Sequence, residues 1–175
     1  MPALSMVPSH SADPSSLDIE DTFITALARS KRLKSPYHHW LLEEALPDTI
    51  ADEIAALPFE APREMTHDGK RESNNSKRVY FTPDAQKQFP VIDAFTSAFD
   101  SLAVRKALKD ETGAKLDDAH LRVEYCQDTG DFWLEPHTDI AVKRFTMLIY
   151  LSKDPALANC GTDVYDATPD HALVH

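Results

Sequence analysis

The sequence predicts an α+β fold in which helices come first and closely spaced strands follow. Before Gly113, apolar residues recur at helical spacing in several segments. From about residue 119 the pattern changes to short β-rich runs separated by turn signals. Hydrophobic residues make up 42% of the 175-residue chain, enough to bury one core. Strands at this spacing, braced by helices, are typical of a jelly-roll-like barrel.

The amino-terminal part of the chain is predicted to be a tail followed by a helix. Residues 1–16 are rich in Ser and Pro, so we predict a disordered tail, with residues 17–175 forming a single domain. The stretch "SSLDIEDTFITALARSKRL" is predicted to be a helix, because a serine can cap its start, acids occupy its first turn and basic residues close it.

The middle of the chain supplies further helices with short strands between them. "PYHHWLLEEAL" and "RVYFT" are predicted strands, "PDTIADEIAALPF" is a predicted helix, and "EMTHDGKRESNNSK" is a predicted polar loop. The segment from Ala85 is predicted to be helical on both sides of Pro90 and to end at Gly113, since glycine is the usual residue just after a helix.

The carboxy-terminal third is predicted to form the barrel strands. In order these are "HLRVEYC", "FWLEPHTD", "KRFTMLIYLS", "GTDVYD" and "HALVH". The third run is apolar on both faces at its centre, as expected of a strand that is covered on both sides.

Composition excludes some classes of function. The net charge is −11, from 29 acidic and 18 basic residues, which argues against a general nucleic-acid partner. No apolar run approaches the length of about 18 residues that a membrane span needs. Cys126 and Cys160 form neither a disulfide framework nor a CxxC motif. We therefore predict a cytoplasmic protein in a reducing compartment.

The motif "HTD" is a candidate metal site. His137 and Asp139 are two apart on a predicted strand, so their side chains point the same way and can offer a nitrogen and an oxygen to one ion. Two histidines and one carboxylate on one face are the ligands of non-haem Fe(II) oxygenases. An HxD pattern alone occurs about once by chance in a chain of this composition, so its context has to decide.

The context is an ordered set of motifs over residues 119–166: "LRVEYC", "DTGDFWLEPHTD", "FTMLIYLS" and "GTDVYD". A Tyr-bearing strand leads through a Gly-containing loop to HxD, and an apolar strand ending in Tyr-Leu and then a Gly-led strand follow. This order resembles the prolyl-hydroxylase-like branch of the Fe(II)- and 2-oxoglutarate-dependent dioxygenases. Upstream, "SPYHHWLLEEALPD" and "RESNNSKRVYF" are also similar to bacterial members of the group.

The resemblance implies a double-stranded β-helix, a bound Fe(II) ion and 2-oxoglutarate as co-substrate. It implies that His137 and Asp139 are the first two iron ligands. Tyr125 and Tyr150 match tyrosines that line the 2-oxoglutarate pocket, and Leu148 matches a packing position beside it. The implied reaction is hydroxylation of a small molecule or a peptide side chain, and the sequence leaves that choice open.

The resemblance also implies a second histidine on a late strand, and an Arg or Lys beyond it that pairs with 2-oxoglutarate. His171 and His175 are the only histidines after Asp139, and no basic residue follows Lys153. We therefore expect an incomplete barrel that lacks its last strands and is inactive in this form. Whether His171 or His175 replaces the missing ligand stays open. The alternative is a non-catalytic binding or interaction module on the same fold.

Overall fold

The computed structural model describes residues 15–70, 72–130, 132–166, 168 and 173–174. His171 and His175, and with them most of the predicted strand "HALVH", lie outside the described residues. So do residues 1–14 of the predicted tail. Ser15 and Ser16, which the predicted tail included, belong to the start of the first helix.

Five α-helices lie in the described residues, all of them within or overlapping the predicted helical segments, although the first two end four or five residues earlier than predicted. They are α1 Ser16–Ala28, α2 Asp48–Ala55, α3 Pro83–Gln88, α4 Pro90–Asp100 and α5 Leu102–Thr112. Short 3₁₀ helices cover Glu72–Lys77 and Pro155–Leu157. In the part of the chain that the structure describes, none of these helices combines the length and the apolar character needed to cross a bilayer.

Local capping chemistry sets the helix ends. The Ser15 hydroxyl accepts the backbone N–H of Leu17 at 3.2 Å, and Gly113 ends α5 in the left-handed conformation at φ 75°. Phe89 is extended, as expected of a residue before proline, and this separates α3 from α4. The break between α4 and α5 at Ser101 was not predicted; its hydroxyl accepts the N–H of Val104 and caps α5.

The core lies among the helices. α1 packs across α4 and α5, and it buries Ile19 and Phe23 completely. The ring of Phe23 meets that of Phe99 edge-on, with 4.9 Å between the ring centres. From α4, Ile92 and Ala98 are also fully buried. This helical layer is the main hydrophobic unit of the described chain, and some apolar side chains between residues 116 and 151 pack onto it.

Two small antiparallel sheets accompany the helices in the described residues. β1 Lys31–Leu33 pairs with β2 His39–Leu41, and β3 Val79–Tyr80 pairs with β4 Glu124–Tyr125. β2, β3 and β4 fall inside predicted strands, whereas β1 occupies the last residues of the segment predicted to be the first helix, so the prediction is wrong there. An isolated bridge joins Tyr165 to Leu173.

The predicted strands over residues 132–139 and 143–152 are not hydrogen-bonded strands in the described structure. A strand is defined by its partner, and the described residues provide none for these runs. They close no barrel, so the predicted incomplete barrel stays a prediction.

Residues 146–151 nevertheless alternate in burial, as the residues of an extended segment do. Met147, Ile149 and Leu151 are half-buried against the helical core, whereas Leu148 and Tyr150 are 58% and 59% exposed. The prediction that this run is covered on both sides is therefore wrong for the described structure, because helices cover one side and no described layer covers the other. We call the side that carries Thr146, Leu148 and Tyr150 the open face.

Candidate metal centre

His137 is oriented by its own chain. Its ring nitrogen Nδ1 lies 2.6 Å from the backbone carbonyl oxygen of Glu135. A carbonyl only accepts, so Nδ1 carries a proton, and Nε2 is the ring nitrogen that can face a metal. Histidines that bind metals are commonly fixed in this way through the nitrogen that does not face the metal.

Asp139 has a partner on each carboxylate oxygen. The Lys143 ammonium donates to Oδ1 at 2.5 Å, and the Thr146 hydroxyl donates to Oδ2 at 2.5 Å. Lys143 follows four residues after Asp139, across a turn closed by a hydrogen bond from its own N–H to the carbonyl of Ile140 at 3.0 Å. The carboxylate is therefore held from two sides.

These partners keep Asp139 ionised. Burial alone would raise the pKa of the Asp139 carboxyl, but hydrogen bonds from Lys143 and Thr146 outweigh it. The charge of Lys143 acts in the same direction, so the pKa of Asp139 lies below its ordinary value. The Asp139 carboxylate is therefore in the ionised form that a metal requires.

Leu148 and Tyr150 share the open face with Thr146. Because alternate residues of an extended segment project to the same side, the bond from Thr146 to Asp139 ties the carboxylate to this face. The Tyr150 hydroxyl donates to the Thr162 hydroxyl at 2.6 Å, which fixes the ring near the following segment. Asp139 is therefore linked through Thr146 to the face that carries Leu148 and Tyr150.

Tyr125 packs against the helical core and does not lie on the open face. It is half-buried against the helical core, with its ring 5.7 Å from that of Phe59 and 6.3 Å from that of Phe81. Burial raises the pKa of the Tyr125 hydroxyl. In the described structure Tyr125 packs as a core aromatic, and its role in a co-substrate pocket stays a prediction.

A loop docks next to the candidate site, and the sequence showed it only as a polar segment. This docked loop comprises residues 64–77 other than Arg71, which lies outside the described residues. Asn74 is 1% exposed and exchanges two hydrogen bonds of 2.9 Å with the backbone of Thr66. The carbonyl of Gly69 accepts the N–H of Glu135 at 2.9 Å. The loop is therefore attached to the chain two residues before His137.

We predict that Gly69→Ala is more damaging than Gly113→Ala. Both glycines are left-handed, at φ 74° and φ 75°, so each substitution strains the backbone by about 1–2 kcal/mol. A Cβ on Gly69 would also lie 2.6 Å from the ring of Trp133, whereas Gly113 has nothing within 4 Å. We expect Gly69→Ala to lose about 1–3 kcal/mol more of unfolding free energy. Urea unfolding followed by tryptophan fluorescence measures the difference, and equal losses would contradict the docking of this loop.

Sequence reasoning missed Lys143 and Thr146. Their positions after "HTD" are visible in the sequence, but the turn that brings both side chains to Asp139 is not. Among the described residues, no group of three or more His, Cys, Asp or Glu side chains is placed to hold a metal ion. Comparison with protein-family models, curated proteins and solved structures found no match to this chain.

Proposed function

We propose that the chain belongs to a non-haem Fe(II)- and 2-oxoglutarate-dependent oxygenase of the hydroxylase type, with His137 and Asp139 as two of the iron ligands. The observation that carries the proposal is the set of hydrogen bonds that these two side chains make. Nδ1 of His137 faces the Glu135 carbonyl, so Nε2 is available to a metal. The neighbouring Asp139 is held as a carboxylate by Lys143 and Thr146.

The donor types fit ferrous iron. An imidazole nitrogen and a carboxylate oxygen are two of the three ligands in the facial triad of such oxygenases, and both donors here have the supporting hydrogen bonds that such ligands usually receive. When bound, the iron supplies the activation of oxygen, coupled to decarboxylation of 2-oxoglutarate, that hydroxylates a C–H bond.

The chain's own residues have simpler tasks. The Glu135 carbonyl orients His137, and the Thr146 hydroxyl orients Asp139. Leu148 offers an apolar surface and Tyr150 a phenol on the same side of the chain, where a co-substrate would pack. The substrate in this proposal is a small molecule or a peptide side chain. Two free cysteines support the further proposal of a cytoplasmic location.

A second candidate is a non-catalytic interaction module. Exposed apolar side chains around the site favour it: Ile140 is 65% exposed, Val142 78% and Leu148 58%. Apolar surface of this kind is typical of a protein-binding surface. In this alternative His137 and Asp139 have no role in holding a metal.

Metal titration distinguishes the oxygenase from the interaction module. Mn(II), which replaces Fe(II) without reacting with oxygen, is titrated into the 175-residue chain and followed by calorimetry. We expect binding that weakens at least about tenfold in His137→Ala and in Asp139→Ala, since each removes a direct ligand. His120→Ala removes a histidine elsewhere in the chain and is expected to change nothing. Binding that survives His137→Ala would overturn the oxygenase proposal in favour of the interaction module.

A further inference from the structure

We infer that Lys143 is a counter-ion that a metal must displace from Asp139, whereas Thr146 stays bound and positions the carboxylate. The inference rests on the proposed function, because it assigns opposite effects on metal affinity to two residues that touch the same proposed ligand. Neither residue belongs to the motif that suggested the site.

The ion pair is well placed to compete with a metal. The Lys143 ammonium occupies Oδ1 of Asp139 at 2.5 Å, and the lysine and aspartate side chains are only 22% and 40% exposed. The turn from Ile140 to Lys143 directs the lysine back towards the carboxylate that precedes it. The pair is therefore partly shielded from solvent and held by local backbone structure, unlike an ion pair between two flexible surface side chains.

The charge of Lys143 determines how Asp139 responds to a divalent metal ion. Two cations next to one carboxylate oxygen repel each other, and the repulsion is stronger in a partly buried site than in water. Lys143 has to leave Oδ1 before a metal can take it. The Thr146 hydroxyl is neutral and donates to the other oxygen, Oδ2, so its hydrogen bond is compatible with a bound metal. Removing the lysine charge should therefore strengthen metal binding, and removing the threonine hydroxyl should weaken it.

The test is a Mn(II) titration of the 175-residue chain and of variants matched in shape. Lys143→Met keeps a long unbranched side chain without its charge, and we expect about tenfold tighter binding. Thr146→Val keeps the shape without the hydroxyl, and we expect about tenfold weaker binding. Lys143→Arg keeps the charge and should show no gain. Circular dichroism of each variant confirms that it is folded.

Lys106→Met is the control for net charge. Lys106 also pairs with an aspartate four residues away, Asp110, but on α5. An unchanged Mn(II) affinity in this variant, beside the gain in Lys143→Met, would support displacement at the site. An equal gain in both variants would attribute the effect to overall charge and overturn the inference, as would an unchanged or weaker affinity in Lys143→Met.

The His137→Ala variant separates the two possible failures. If Mn(II) binding requires His137 but is not strengthened by Lys143→Met, the inference fails and the proposed function stands. If binding does not require His137, or if no variant binds Mn(II), the proposed function fails and the inference fails with it.

Discussion

Replacing Phe23 with alanine is expected to lower the free energy of unfolding by about 3–5 kcal/mol, the largest effect of any substitution considered for this chain. Phe23 is fully buried, and its ring meets that of Phe99 at the contact between α1 and α4. Alanine removes the buried ring and leaves a cavity that the surrounding helices fill only in part. Urea unfolding followed by the helical circular-dichroism signal measures the loss.

Leu102→Ala is the matched control for Phe23→Ala. Leu102 is another large apolar side chain on a helix of the same layer, but it is 86% exposed. Its truncation should change the unfolding free energy by no more than about 0.5 kcal/mol. Similar losses in the two variants would show that the core does not lie where α1 crosses α4.

Asn74→Asp is expected to destabilise the protein by about 3 kcal/mol at neutral pH. The Asn74 amide donates to the Thr66 carbonyl and accepts the Thr66 N–H, both at 2.9 Å and in a buried position. Aspartate loses the donor and places a charged oxygen against the carbonyl. Tryptophan fluorescence during urea unfolding follows the change, because the docked loop lies against Trp133.

The pH dependence of the loss and a control for added charge test this explanation of the Asn74→Asp effect. Protonation gives the introduced carboxyl group an O–H donor again, so the loss caused by Asn74→Asp should shrink as the pH falls. Ser76→Asp adds the same charge at an exposed position of the same 3₁₀ helix, and it should cost little. Equal losses in the two variants, or a loss from Asn74→Asp that does not depend on pH, would contradict a buried clasp between Asn74 and Thr66.

Helices were predictable from the sequence because their signals are local. Apolar spacing, the Ser15 cap, Pro90 and Gly113 mark where helices begin and end without reference to the rest of the chain. Strands need distant partners. The runs over residues 132–152 carry β-rich residues, but composition does not say which segment will pair with them. Only the strands that found a partner in the described structure, such as β3 and β4, could be confirmed.

In the candidate site, too, the sequence predicted some features and the structure alone shows others. Spacing alone predicted that His137 and Asp139 could act together, and this stays a prediction. The apolar centre of the run around Tyr150 predicted that both of its faces would be covered, and only the structure shows that the helical core covers one of them. The contacts of Lys143 and Thr146 depend on a turn whose shape has no clear sequence signature, so they appear only in the structure.

The clasp between Thr66 and Asn74 makes the loop between them a closed module. Two hydrogen bonds join its ends, and the carbonyl of Gly69 accepts a hydrogen bond from the backbone of Glu135 in the neighbouring segment. Exposed positions inside it, such as His67 and Lys70, can change without disturbing the helical layer. Evolution or a protein engineer can therefore diversify the surface beside His137 at this loop while the scaffold that folds the chain is preserved.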